Sequence, residues 1–278
     1  MNEFAYKTPS ELRLLFRNNS LAKSTAGMSL GYIQLNLVML PEKYASAFKE
    51  FCSKNKEACP LFEITSPGVY SLNKMAQDCD LRTDLPKYCV YEKGELIEEP
   101  QDVLKWYRKD LVSFLFGGAY SFDEALIEEG IFPQYIEENN NVSVFKTNIK
   151  CQSVEHFTGN LVVSMVPIAE KNLEKILKIT NNYNFAHGKP VHIGEPGKIG
   201  IKDITKPDYG DSMILKADEI PVFWPCGVTA QSVIAQAKID LAITHSSGCM
   251  LISDMKSNDL LEFTKNTDTA LYMHYKNI

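Results

Sequence analysis

Apolar residues in this chain fall into short uninterrupted runs, set apart by polar turns and by stretches with helical spacing, a pattern that predicts alternating strands and helices. Residues 8–18 place Leu12, Leu15 and Phe16 on one side behind Ser10 as a cap, which predicts a helix. After a break at 24–27, residues 32–40 alternate and then become continuously apolar, as a strand entering a core does. Gln34 and Asn36 lie two apart and so share one face of it. Tyr44, Phe48 and Phe51 predict a helix over 41–55, and 59–65 reads as a short strand. Strands at 88–91 and 96–98 flank Lys93-Gly94 as a hairpin. A helix is expected over 103–110, a strand over 111–116 ending at Gly117-Gly118, and a short acidic helix over 123–129 capped by Ser121.

From Asn139 the texture changes. Strands at 142–149 and 161–166, a helix at 169–182 and a strand at 191–193 have the size of a small two-layer α/β module, read as an insertion (139–202) between two parts of a larger domain (1–138 and 203–278). A further helix at 259–264 and a short run at 272–275 close the chain.

The most chemically loaded stretch is 219–254. A buried strand at 220–224 is closed by Pro225, Cys226 and Gly227 turn, and Thr229 is a cap for a helix over 230–237. N–H groups at a helix start lack intrahelical partners and attract anions, and a thiol there tends to have a lowered pKa. The chain re-enters the interior at 241–243, emerges in a polar loop from Thr244 to Cys249, and ends a second apolar run at Asp254. Two polar loops bracketed by apolar strands predict one site lined from both sides. Each residue also has a structural reading: Cys226 as a small core residue, His245 as a hydrogen-bonding partner, Asp254 as a cap, and Gln34 and Asn36 as satisfied buried amides. Arg82, between Asp80 and Asp84, is either a self-satisfied pair or a clamp for a carboxylate.

Composition narrows the classes. With 278 residues, 45% hydrophobic and 23% charged, the chain is expected to be a soluble globular protein. A net charge of -6 argues against nucleic-acid binding. The absence of a membrane-length apolar run or a secretory start points to the cytoplasm, and seven cysteines without CxxC spacing to reduced thiols. There is no GxGxxG, GxxxxGK[ST], His-x-His or HExxH, so neither nucleotide nor zinc use has a motif behind it.

The runs TAG, GYIQLNLVMLP, CPLFE, DLRTDLPKY, SFDEAL, KTNIKC, VVSMVP, HGKPVHIG, PDYGD, FWPCGVT and ITHSSGCMLISD occur in this order over 25–254. Together they resemble the hydro-lyase family that includes the D-glutamate cyclases. The resemblance implies a two-domain α/β fold, with a three-layer α/β/α main domain and a smaller two-layer α/β insertion. It implies elimination of water, in the best understood members the closure of D-glutamate to 5-oxo-D-proline assisted by a divalent cation, Mn or Mg. Cys226, Gly227, Val228, Thr229, His245, Gly248 and Asp254 match the family pattern; Gly118 stands where Cys is usual, Ala119 for Ser, Val166 for Arg, Ser247 for Pro and Cys249 for His.

On that basis the expected catalytic group is Cys226, Thr229, His245 and Asp254, with His245 or Asp254 as base and the N–H groups after Cys226, together with Thr229, holding the oxyanion. Arg82 and Lys146 are expected to clamp a carboxylate, Gln34, Asn36 and Asn148 to orient it, and Asp84, Gly227 and Gly248 to complete the substrate site. The implied partner is a small-molecule acid, with no nucleic acid and no membrane, and a homo-oligomer is compatible with the sequence. Two rival readings stand beside this one: a non-catalytic small-acid-binding protein that lost part of the site at Gly118 and Cys249, and a hydratase of another hydroxy or amino acid.

Overall fold

The computed structural model describes residues 3–72 and 75–266; the run expected at 272–275 lies outside them. Its organising element is the strand Tyr32–Pro41, buried along nearly its whole length, the amides of Gln34 and Asn36 included. On one side it pairs with Leu111–Gly117, from Leu35 opposite Gly117 to Pro41 opposite Leu111. On the other side Leu251–Lys256 takes its first half and Ala242–His245 its second, with Val38 opposite Thr244. Leu61–Ile64 extends the sheet beyond Leu111–Gly117, and the hairpin Tyr88–Glu92 and Glu95–Glu98 extends it beyond Ala242–His245. Every one of these pairings is antiparallel. At the hairpin tip Lys93 and Gly94 both take positive φ, 51° and 86°, the backbone that matches the twist of its strands.

A second antiparallel sheet runs in the order His192–Ile193, Glu219–Pro225, Asn160–Ala169, Ser143–Lys150. It draws the strand Glu219–Pro225 from beyond the expected boundary at 202. Residues of both sheets bury side chains in one continuous apolar core. The helix Glu42–Lys54 docks on the first sheet through Phe48, whose ring centroid lies 4.9 Å from that of Phe114 and 5.0 Å from that of Phe157. The result is a mixed α/β fold.

Local details depart from expectation where tertiary contacts outbid propensity. Thr8, not Ser10, caps the helix Pro9–Arg17, because Thr8 and Glu11 form a reciprocal capping box. Residues 103–110 make turns instead of a helix: the Val103 N–H is taken by the Arg82 carbonyl and the Trp106 indole N–H by Glu98, 2.8 Å away. Ser121 does not cap the helix Asp123–Glu128; its hydroxyl donates to the Gly118 carbonyl at 2.7 Å and accepts the Gln34 N–H at 3.0 Å. Replacing Phe48 by Ala should lower stability by about 3–5 kcal/mol, read as a shift in urea midpoint at constant slope.

Candidate functional site

Both sheets wall a cavity; the space of about 650 Å³ that it encompasses includes open solvent at its mouth. The first sheet and its loops contribute Asn36, Gly118, His245, Ser247, Gly248 and Met250, and the second Val144, Ser164, Val166 and Trp224. No Lys, Arg, Asp or Glu among the described residues lines it. Its polar groups are therefore few and uncharged, and two of them are unspent: the Trp224 indole N–H and the Ser247 hydroxyl are buried without a hydrogen-bond partner. The cavity brings together Asn36, Cys226, Gly227, His245 and Gly248 of the residues expected at the site.

Gly227 is the N-cap of the helix Val228–Ala237, and its N–H has no acceptor among the described residues. A Cβ on Gly227 would run into the Asn36 side-chain amide, which is itself held by donating to the Gly117 carbonyl at 3.0 Å. Gly248, at φ +76°, packs as tightly against the Asn141 amide. Asn141 in turn donates to the Ser247 carbonyl at 2.9 Å and accepts the Tyr120 hydroxyl at 2.8 Å.

His245 was expected in a loop and instead ends the strand Ala242–His245, 1% exposed. Its Nδ1 lies 3.2 Å from both the nitrogen and the oxygen of Leu37. Burial lowers its pKa to about 4 against the opposing pull of the Leu37 backbone, so the imidazole is neutral at pH 7. Cys226 also lines the cavity, but the expected fall in its thiol pKa does not occur. Burial raises it, and the Ser164 hydroxyl and Val228 N–H oppose that rise without cancelling it. Cys226 is a neutral thiol.

Other expected residues are committed elsewhere. Asp254 forms a two-pronged ion pair with buried Arg13, at 2.8 and 3.0 Å, and accepts the Gln77 N–H at 2.7 Å. Arg82 is paired with Asp80 at 2.9 and 2.7 Å and stacks over Tyr70 at 3.5 Å. Asp84 is fully buried against Arg17, at 2.7 and 2.6 Å. Lys146 and Asn148 are exposed on the strand Ser143–Lys150, with Lys146 3.9 Å from Asp208. Gln34 donates to the carbonyls of Thr25 and Met28, at 3.0 and 3.1 Å. Thr229 is not the helix cap: its hydroxyl both accepts the Val162 N–H at 3.0 Å and donates to the Val162 carbonyl at 3.2 Å, pinning the helix to the second sheet. None of these six or of Thr229 lines the cavity.

The donor set does not suit a divalent cation. The Asp254 carboxylate is occupied by Arg13, the cavity presents no carboxylate, and among the described residues no three His, Cys, Asp or Glu side chains gather as ligands. Cys249 is buried outside the cavity, its thiol pushed up to about 12 by burial. Gly118 does face the cavity, and the Met250 sulfur occupies the space a Cβ there would need.

Asp123 went unnoticed in the sequence, where it reads as an acid favouring a helix start. Fully buried, it accepts the hydroxyl of Tyr135, a wall residue, at 2.6 Å, and its second oxygen has no hydrogen-bond partner. Burial raises its pKa to about 8 despite the Tyr135 hydroxyl and the Gly27 N–H, so the acid is protonated at pH 7. Nothing in the local sequence distinguishes it from its exposed neighbours. Trp224, Tyr135 and His187, the last with its pKa lowered to about 4 by burial, were likewise read as core or not at all.

The cavity is lined by a neutral imidazole, that of His245, and by uncharged polar groups. The sequence profile of the D-glutamate cyclase family matches residues 112–254. Relatives carrying the name "Putative hydro-lyase" include one from Staphylococcus haemolyticus, 45% identical over 92% of this chain and 98% of its own. Another, from Clostridium beijerinckii, is 46% identical over 93% of this chain and 98% of its own, and one from Aliivibrio fischeri 47% over 90% and 94%. Among solved structures, a nitrogen repressor-like protein from Methanococcus jannaschii aligns at a TM-score of 0.38 and 10% identity over 88% of this chain and 98% of its own, a likeness too low to define the fold. The chain belongs to the D-glutamate cyclase family, whose members bear hydro-lyase names. No described helix is long and apolar enough to cross a membrane.

Two outcomes follow from these environments. Folding raises the Asp123 pKa from 3.8 to about 8, so the native state keeps a proton the unfolded chain releases and stability falls as pH rises between those values. His245 and His187, lowered from 6.5 to about 4, act oppositely, with stability lost as pH falls through that window. Between pH 6.5 and 8 the Asp123 effect stands alone among the three, and Asp123→Asn should flatten the decline in denaturant midpoint seen there in the parent protein. Arg13→Ala, which leaves the Ile252 and Gln77 carbonyls without their donor while exposed Asp254 regains water, should destabilise the fold by about 1–3 kcal/mol in urea titrations.

Proposed function

We propose that the cavity closes a small amino acid of the D-glutamate type into its lactam, here 5-oxo-D-proline, with loss of water. The observation that carries this reading is the absence of charged side chains around a cavity that holds a neutral imidazole. Direct cyclisation needs two uncharged partners, a free amine and an undissociated carboxyl group. A low-dielectric wall without counter-charges disfavours both ammonium and carboxylate and so favours that pair.

The amine nitrogen attacks the side-chain carboxyl carbon, a C–N bond forms, and the carbonyl oxygen gains charge. The free N–H of Gly227, at the start of a ten-residue helix, supplies a donor for that oxygen. We assign His245 the tautomer that donates from Nδ1 to the Leu37 carbonyl in place of the one that accepts the Leu37 N–H there, which leaves Nε2 as acceptor for the proton the amine gives up. Its depressed basicity makes the resulting imidazolium a strong acid, and it returns the proton to the departing hydroxyl, which leaves as water. The C–O bond breaks, the imidazole is regenerated, and no other reactant is consumed. Cys226, a neutral thiol beside Ser164, serves as wall and not as nucleophile.

Incubation with D-glutamate, with and without Mn²⁺, followed by detection of 5-oxoproline tests the reading, and binding without product would favour the non-catalytic alternative. His245→Gln should reduce turnover by about a hundredfold or more, whereas Cys226→Ser should retain most of it. An unchanged rate in the former, or a dead enzyme in the latter that still folds and binds, would overturn these roles.

A further inference from the structure

A second hollow, whose space of about 520 Å³ is in part open solvent, adjoins the cavity, and Ser247 lines both. Its character is opposite. Lys23, Ser24, Asn139, Asn140 and Asp211 face it, and Ala26 is its apolar contributor. Lys23 is half-buried, with its Nζ 3.5 Å from the Asn139 side-chain oxygen and 4.8 Å from the centre of the Phe4 ring. It forms no ion pair with any carboxylate among the described residues. Asp211, the exposed carboxylate in the same hollow, accepts the Asn141 N–H at 2.8 Å through one oxygen and keeps its charge.

The boundary between the two spaces is fixed. Asn141 spans it, tied to Tyr120 on one side and to the Ser247 carbonyl on the other, with Gly248 pressed against its amide. Segments 23–25 and 248–249 are laced together across it: the Ser24 and Thr25 hydroxyls donate to the Gly248 carbonyl at 3.2 and 3.0 Å, and the Cys249 thiol to the Lys23 carbonyl at 3.8 Å. The buried Ser247 hydroxyl, lacking a partner, stands at this junction.

We propose that the outer hollow is a carboxylate subsite in which Lys23 and the Ser247 hydroxyl hold the α-carboxylate of an amino acid whose side chain enters the inner cavity. This rests on the reading above for the reaction but not for the binding. A carboxylate cannot enter the inner cavity without losing its hydration to a wall that offers no cation. At the junction it keeps partial hydration and gains a charge-assisted hydrogen bond from Lys23. The side chain meets an apolar interior. Arg82 and Lys146, the cations expected to clamp the acid, are respectively paired with Asp80 and exposed on another strand, so neither competes for this role.

The test uses ligands that cannot cyclise. D-norvaline has the α-amine and α-carboxylate with an apolar tail, and D-norvalinamide replaces the carboxylate by an amide. Both are titrated calorimetrically into the parent protein and into Lys23→Gln, whose unchanged melting temperature establishes an intact fold. The parent should bind D-norvaline about tenfold more tightly than Lys23→Gln does, and D-norvalinamide should bind Lys23→Gln no more weakly than the parent. Equal affinity of both proteins for D-norvaline, or no binding of it to the parent, overturns the subsite. Failure of D-glutamate cyclisation would leave this result untouched, and successful cyclisation with no Lys23 effect would remove the subsite while keeping the reaction.

Discussion

The close approach of Gly227 to Asn36 is the constraint on which the site depends. Asn36 belongs to the central strand of the first sheet, and Gly227 follows directly on the strand Glu219–Pro225 of the second. Their contact leaves no room for a Cβ. It therefore holds the two sheets at a fixed separation beside the cavity that both Asn36 and Gly227 line. Thr229 reinforces the arrangement from the other side by gripping both the N–H and the carbonyl of Val162. A polar amide, a glycine and a threonine, each ordinary in isolation, set the geometry of the cavity that the neutral imidazole of His245 lines.

Much of the architecture was legible because its signals are local. The continuous apolar run of the central strand, the Lys93-Gly94 turn and the spacing of Tyr44, Phe48 and Phe51 each specify an element without help from the rest of the chain. The pairing of strands was not, since register and neighbour are long-range properties. The strand Glu219–Pro225 looks like part of the segment that follows it, yet it pairs with Asn160–Ala169. Helix expectations failed where side chains found distant partners, as Trp106 did in Glu98.

The site divides along the same line. Motif crowding around Cys226 and His245 pointed to the cavity, and both residues line it. Charged residues misled, because charge in a sequence looks like availability. Asp254, Arg82 and Asp84 each turned out to have a partner, and those partners, Arg13, Asp80 and Arg17, either lie far away in the chain or satisfy the residue locally. Conversely, Asp123 has no unusual neighbours in sequence and becomes unusual only through burial. Burial is what sequence periodicity reports least well for a polar residue on a short helix.

The thioether of Met250 fills the volume in front of Gly118. Positions 118 and 250 are consequently interdependent: a chain that places any side chain at the first must shorten or swing away the residue at the second. Because the flexible Met250 thioether can swing aside, a side chain at 118 would be accommodated by moving it, and a comparison that weighed each position alone would mistake an exchange of volume for the loss of a functional group.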